Sequence, residues 1–167
     1  AIKEEHKILK MGGSSQEAVE RTINIMEDSP LFNAGKGAVL NSNASIELDA
    51  SFMEGKSLGA GAISGVRTVK NPISAAIKVM EASPHVMLSG SGADAFASEQ
   101  GLEIVSPDYF LTERRINALK EVQKASSISK TNHKYQSTDF INQQRYGTVG
   151  CVALDMFGNL AAGTSTG

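Results

Sequence analysis

Gly147-Thr148-Val149-Gly150 opens the run TVGCVALD, directly after a polar stretch that is sparse in apolar residues. A threonine in that place has two readings. It is an ordinary strand residue, because branching at Cβ suits extended backbone. It is also a latent nucleophile. If the Gly147–Thr148 bond is broken, Thr148 gains a free α-amine beside its own hydroxyl. An α-amine has a reference pKa of roughly 7.7–8.0, so near pH 7 a usable fraction is neutral and can take the hydroxyl proton. One residue then supplies both nucleophile and base.

Turn arithmetic adds a second hydroxyl. Two strand-like runs, Thr148 to Leu154 and Leu160 to Thr166, are joined through Asp155-Met156-Phe157-Gly158-Asn159. With a three-residue loop, Met156-Phe157-Gly158, and Gly158 in the left-handed conformation, Asp155 faces Asn159. Counting outward pairs Thr148 with Thr166. Cross-strand partners stand roughly 4.5–5.5 Å apart at Cβ. A bulge or another loop length shifts this register by one, but Thr164-Ser165-Thr166 keeps hydroxyls near Thr148 in several registers. On spacing alone, the plain strand reading stands beside the catalytic one.

Other elements must hold these residues. Ile2 to Lys10 reads as a short helix stopping at Gly12-Gly13. Ser14 and Glu17 form a capping-box pattern, and Val19, Ile23 and Met26 follow at helical spacing, which predicts a helix over 15–27. Asp28-Ser29-Pro30 ends it, and a glycine-bearing loop follows from Leu31 to Gly37. Ile46 to Met53 and Leu58 to Val66 read as a hairpin across Glu54-Gly55-Lys56, the second strand rich in glycine and alanine so that another layer can approach it. Asn71-Pro72 starts a helix with Ile73, Ala76, Ile77 and Met80 inward, asparagine capping and proline first. His85 to Leu88 reads as a short strand, Ala93 to Glu99 as a short helix, and Leu111 to Lys124 as an amphipathic helix with Ile116, Leu119 and Val122 on one side. Ala125 to Tyr146 is polar without a period and reads as a mobile connector. Helices and antiparallel hairpins in separate blocks favour an α+β fold over a doubly wound parallel sheet.

Composition narrows the function. The 167 residues suit one domain, and 41% hydrophobic content is enough for a buried core. A net charge of −2 without a basic stripe speaks against nucleic acid; Arg114-Arg115 shares its helix with Glu113 and Glu121 and reads as a solvated face. No apolar run is long enough to span a bilayer and no leader pattern opens the chain. The single cysteine, Cys151, lies in an apolar strand and reads as a buried structural thiol in a reducing cytoplasm. Asn43-Ala44-Ser45 fits a glycosylation triplet that arises often by chance.

Tyr146-Gly147-Thr148-Val149-Gly150-Cys151-Val152-Ala153-Leu154-Asp155, with Gly158-Asn159-Leu160-Ala161 and Thr164-Ser165-Thr166-Gly167, closely resembles the plant-type L-asparaginase/isoaspartyl peptidase (β-aspartyl peptidase) family of N-terminal-nucleophile hydrolases. Pro30-Leu31-Phe32-Asn33-Ala34-Gly35, Glu47-Leu48-Asp49-Ala50 and Ser83-Pro84-His85-Val86 resemble it in the same order, so the likeness covers nearly the whole chain. The resemblance implies an αββα four-layer sandwich, present here as an incomplete part. It implies one domain over 1–167, with 1–147 the α-subunit part, its linker at about 125–146, and 148–167 the start of the β subunit. It implies self-cleavage at Gly147–Thr148 of a zymogen that is still unbroken here. Hydrolysis of the asparagine side-chain amide and of β-aspartyl dipeptides would follow, in a homodimer of processed heterodimers.

The resemblance assigns Thr148 as nucleophile, Thr166 as the hydroxyl supporting it and Asn33 as an active-site asparagine; on local sequence Asn33 reads equally as a turn residue. It requires no cofactor. It implies a structural sodium ion held by backbone carbonyls of Met26, Glu27, Ser29, Phe32, Ala34 and Lys36. Three family features have no counterpart in these residues: a His-Gly-Gly first strand, the arginine and aspartate that grip the substrate, and a Thr-Gly oxyanion pair. The chain therefore reads as a fragment, inactive alone, whose partner is the remaining β-subunit segment.

Glycosylasparaginase and threonine aspartase are neighbouring alternatives, but their nucleophile follows aspartate, whereas Gly147 precedes Thr148 here. From another class, Gly90-Ser91-Gly92-Ala93-Asp94-Ala95 fits G-x-G-x-x-A with Asp108 downstream, a weak dinucleotide-binding pattern with no preceding βαβ unit in the sequence reading. A non-catalytic binding module is the third alternative.

Overall fold

The computed structural model describes residues 1–131 and 147–167. The first helix, α1 (Ile2–Lys10), lies on α2 (Ser15–Glu27). Helix α2 begins at the expected capping box: Ser14 Oγ accepts from Glu17 N at 3.1 Å, and Ser14 N donates to Glu17 Oε2 at 3.0 Å. Two orphan donors of the first turn are satisfied, which fixes where the helix starts. Its inward stripe, Ala18, Val19, Thr22 and Ile23, is buried. After a short 3₁₀ turn at Gly35–Gly37 come strands β1 (Leu48–Glu54) and β2 (Ala60–Val66), then helix α3 (Pro72–Ala82). Strand β3 (Met87–Ser89), helix α4 (Gly90–Glu99), a 3₁₀ turn at Pro107–Phe110 and helix α5 (Glu113–Thr131) follow. The chain closes with β4 (Thr148–Leu154) and β5 (Leu160–Thr166).

The strands form one sheet in the order β3-β2-β1-β5-β4. Every neighbouring pair is antiparallel except β2 and β3. That parallel pair, joined by α3, is a βαβ unit the sequence reading did not find. The glycine-rich β2 hid it, because β3 is only three residues long and pairs as an edge. Alternation splits the sheet into two faces. Val149, Cys151, Ala153, Ala161, Ser165, Leu48, Ala50 and Phe52 are buried toward the helices. Thr148, Gly150, Val152, Leu154, Leu160, Ala162 and Thr164 face the other way and are exposed.

Helix α2 lies across β4 and β5, and α3 across β1 and β2. Gly61 permits the closest approach: a side-chain carbon there would collide with the carbonyl oxygen of Ala76 and lie 2.6 Å from Met80 N. The small residues of β2 thus admit the backbone of α3, as expected. Around them sit Ile23, Leu48, Ile63, Val66, Ile73 and Val79, all essentially inaccessible.

Three expectations are corrected. Asn71 precedes α3 at the cap position, but its side chain makes no capping bond; Nδ2 donates to Glu27 and Asp28 at 3.2 Å each. The first free amide of α3 is met instead by Glu27, whose Oε1 accepts from Ile73 N at 2.9 Å. Of the connector expected over 125–146, residues 125–131 continue α5 instead, and the remainder lies outside the described residues. Arg115, assigned to a solvated face, donates from Nε to Gly37 O at 2.6 Å.

Replacing Gly61 by alanine forces α3 off the sheet. We expect a loss of about 1–3 kcal/mol in urea unfolding, since overpacking against backbone has no flexible atom to yield. An unchanged midpoint would contradict this packing.

Candidate active site

The β4–β5 hairpin has the register that turn counting predicted. Asp155 N donates to Asn159 O at 3.0 Å, Gly158 N to Asp155 O at 3.1 Å, and Gly158 has φ of 83°. Asp155 locks this turn: Oδ1 accepts from Phe157 N and Asn159 N, and Oδ2 from Asn159 Nδ2. Oδ2 also accepts from Ser15 N at 3.3 Å, tying the turn to the start of α2. Seven pairs run outward from that lock, from Leu154 opposite Leu160 to Thr148 opposite Thr166.

Thr148 is the first residue of an edge strand, and its side chain lies on the exposed sheet face. Its hydroxyl donates to Thr166 Oγ1 at 2.9 Å, and Thr166 Oγ1 donates to Gly147 O at 3.4 Å. Two hydroxyls therefore connect Thr148 to the carbonyl oxygen of the peptide bond preceding it. A hydroxyl both accepts and donates, so this chain can pass a proton from Thr148 to that oxygen.

Asn33 lies beside the same peptide. A side chain on Gly147 would collide with Asn33 Cβ, so glycine is required there for the two segments to touch. The Asn33 amide is committed at both ends. Oδ1 accepts from Val39 N at 2.7 Å, and Nδ2 donates to Gly167 O at 2.8 Å. It braces the residue after Thr166 and makes no hydrogen bond to Thr148.

The loop from Met26 to Lys36 folds tightly on itself. Gly35 packs on the carbonyl of Glu27, and the carbonyls of Phe32 and Pro30 point into the space where Gly37 lacks a side chain. The carbonyls of Met26 and Ala34 accept from Ser29 N and Gly37 N. Beneath this loop the Glu27 side chain is buried, and burial pushes its carboxyl up to about 8 against the bonds from Ile73 and Asn71. Among the described residues, no cluster of three or more His, Cys, Asp or Glu could hold a metal ion.

Asp49, quoted above only within a motif, lies on β1 directly opposite Thr166. Nothing local in the sequence singled it out, since Glu47 and Asp49 alternate alike on the outward side of the expected strand Ile46 to Met53. Asp49, Ser51, Ser64, Met87, Thr164 and Thr166 are among the residues lining a groove of about 420 Å³ on the exposed face. The Gly90-Ser91-Gly92 segment, by contrast, lies at the other edge of the sheet. There Asp94 accepts from Arg67 N, Thr68 N and Thr68 Oγ1, a structural tie between strand and helix.

A threonine at a strand start, next to a glycine peptide and on a sheet backed by helices on one face, is consistent with a fragment of the N-terminal-nucleophile hydrolase fold. The chain belongs to the asparaginase family, whose profile, described as "Asparaginase", matches residues 1–167. It is 47% identical over 167 residues to the mouse protein named isoaspartyl peptidase/L-asparaginase, covering all of this chain and 48% of that protein. It is 45% identical to the Escherichia coli K12 isoaspartyl peptidase, over 96% of this chain and 49% of the relative. For human isoaspartyl peptidase/L-asparaginase the figures are 44%, 96% and 49%. The chain spans about half the length of the curated relatives it matches. The match across all residues leaves the dinucleotide-binding alternative without support.

Cys151 takes no part in the site. It faces the helices, and burial, with Glu5 nearby, pushes its thiol up to about 11. A rise of that size leaves about a hundredfold less thiolate at pH 8 than the ordinary value of 9 would. Iodoacetamide should therefore label the native protein very slowly and the urea-unfolded protein at the ordinary rate. Equal rates would show the thiol to be open.

Proposed function

We propose that the protein is an autoprocessing threonine hydrolase that cleaves the side-chain amide of L-asparagine and the isopeptide bond of β-aspartyl dipeptides. The observation that carries this reading is the 2.9 Å contact between Thr148 and Thr166 beside the Gly147 carbonyl, in a chain of the asparaginase family. In maturation, Thr148 Oγ1 attacks the Gly147 carbonyl carbon. Its proton passes to Thr166, and the Thr166 proton passes to the carbonyl oxygen. Collapse breaks the carbon–nitrogen bond and leaves an ester between Gly147 and Thr148 Oγ1, the nitrogen taking up the proton. Water hydrolyses the ester, giving a carboxyl on Gly147 and a free amine on Thr148.

In turnover that amine takes the Thr148 hydroxyl proton as the oxygen attacks the side-chain carbonyl of the substrate. The proton then leaves with ammonia, or with the amino acid of a β-aspartyl dipeptide. Water clears the β-aspartyl ester and restores the hydroxyl. Thr166 supports the nucleophile, and Asn33 holds the loop and the C-terminal side of β5 in place around it.

The full enzyme on this reading carries a further β-subunit segment, pairs as a homodimer of processed heterodimers and works in the cytoplasm. The lone buried cysteine favours a reducing compartment. Among the described residues, no helix is long and apolar enough to cross a membrane. A sodium ion would be held by the loop carbonyls of Met26, Glu27, Ser29, Phe32, Ala34 and Lys36. Carbonyl oxygens are the ligand type that a hard cation takes. Bound there, the ion would stiffen the loop that carries Asn33 and take no part in bond breaking.

The test uses the protein at its full natural length. Denaturing mass analysis after incubation should reveal a new N-terminus at Thr148, and aspartate should form from asparagine. Thr148→Ala should abolish both. Thr166→Val should slow cleavage by about a hundredfold, the usual scale for removing a positioned proton-transfer group. An unbroken wild-type chain that hydrolyses asparagine at full rate would overturn the reading.

A further inference from the structure

We propose that Asp49 is a positioning residue that takes over the Thr166 hydroxyl once the Gly147–Thr148 bond has been cut. This rests on the function proposed above. Three residues stand in one row across adjacent strands. Thr148 on β4 is paired with Thr166 on β5, and Thr166 is paired with Asp49 on β1. Directly opposite residues of an antiparallel pair have Cβ atoms roughly 4.5–5.5 Å apart, so the carboxylate stands within reach of the hydroxyl.

The fold goes to some length to aim that carboxylate. The β1–β2 register shifts between Leu48 and Ala50, where Ser64 and Gly65 of β2 lie opposite the single residue Asp49. Gly65 has φ of 65°, a conformation that glycine adopts at no steric cost. The bulge turns two donors onto one carboxylate oxygen: Ser64 Oγ at 2.7 Å and Gly65 N at 2.8 Å both reach Oδ1. Oδ2 makes no hydrogen bond among the described residues, and the groove beside Thr166 opens next to it. A carboxylate gripped by one oxygen, with the other left open beside a catalytic hydroxyl, is poised to accept.

In the uncut chain the Thr166 proton is engaged with Gly147 O. Cleavage removes that acceptor. The hydroxyl then turns to Asp49 Oδ2, and its lone pairs are left facing Thr148. In that state the Thr166 oxygen presents an acceptor toward Thr148, open to the ammonium that forms there. The carboxylate charge, relayed through the hydroxyl, favours the ammonium that forms when the Thr148 amine takes up the nucleophile's proton. Asp49 thus serves turnover, whereas Gly147 O serves cleavage, and Thr166 changes acceptor between the two.

Asp49→Asn is the informative substitution, because its amide oxygen can still accept from Ser64 and Gly65 while the open acceptor is lost. In the full-length protein it should still cleave at Gly147–Thr148. Its kcat for asparagine should fall about tenfold or more with KM within about twofold, as for an interaction made in the transition state. In a double-mutant cycle, adding Asp49→Asn to Thr166→Val should cost nothing further, since the carboxylate acts only through that hydroxyl. Ser64→Ala keeps the carboxylate but loosens its aim, and should lower kcat by a smaller factor; it serves as the readout if Asp49→Asn fails to fold. Unchanged kcat in Asp49→Asn, or losses that multiply in the double mutant, would overturn this inference while the cleaving, active wild type stands. A wild type with no hydrolase activity would overturn both.

Discussion

The register of the β4–β5 hairpin is the constraint on which the site depends. A single hydroxyl–hydroxyl bond at the surface contributes only about 1 kcal/mol, too little to hold two strands against thermal motion. The Thr148–Thr166 contact is therefore a product of the ladder and not its cause. Seven backbone pairs and the turn lock at Asp155 place the two oxygens together. A slip of one residue would send Thr148 to the helix-facing side and bring Val149 out. Asp155 also accepts from Ser15 N, so the same carboxylate that sets the register anchors it to the start of α2.

The helices matter through the opposite face. Helices α2 and α3 cover one side of the sheet so fully that alternation leaves every second residue of β4, β5 and β1 on the other side. Thr148, Thr166 and Asp49 share that side because they share a row. The loop between α2 and β1 completes the arrangement from the edge. Asn33 touches Gly147 and holds Gly167, and Arg115 from α5 grips the loop at Gly37. The contact between Asn33 and Gly147 joins segments more than a hundred residues apart in the chain.

Much of this was legible beforehand for local reasons. The capping box at Ser14, the left-handed Gly158 and the β4–β5 pairing follow from short-range rules, and each was recovered in the structure. Tertiary geometry decided the rest. The parallel β2–β3 pair escaped notice because three residues carry too little pattern. Asn71 matched a cap by type, yet the buried carboxyl of Glu27, 44 residues earlier, drew its side chain away and took the amide of Ile73 instead. Asp49 gave no catalytic signal because its position opposite Thr166 depends on β1 inserting between β2 and β5.

That insertion bears on what would happen if the backbone opened ahead of Thr148. Strand β1 belongs to the upstream piece and β5 to the downstream one, and they lie side by side in the middle of the sheet through six residue pairs. Severing the chain would not create two bodies with a surface between them. The upstream piece would clasp the downstream hairpin as a continuous sheet, with α2 folded over its back. Separation would then require melting the common interior, so the two products would persist as one folding unit.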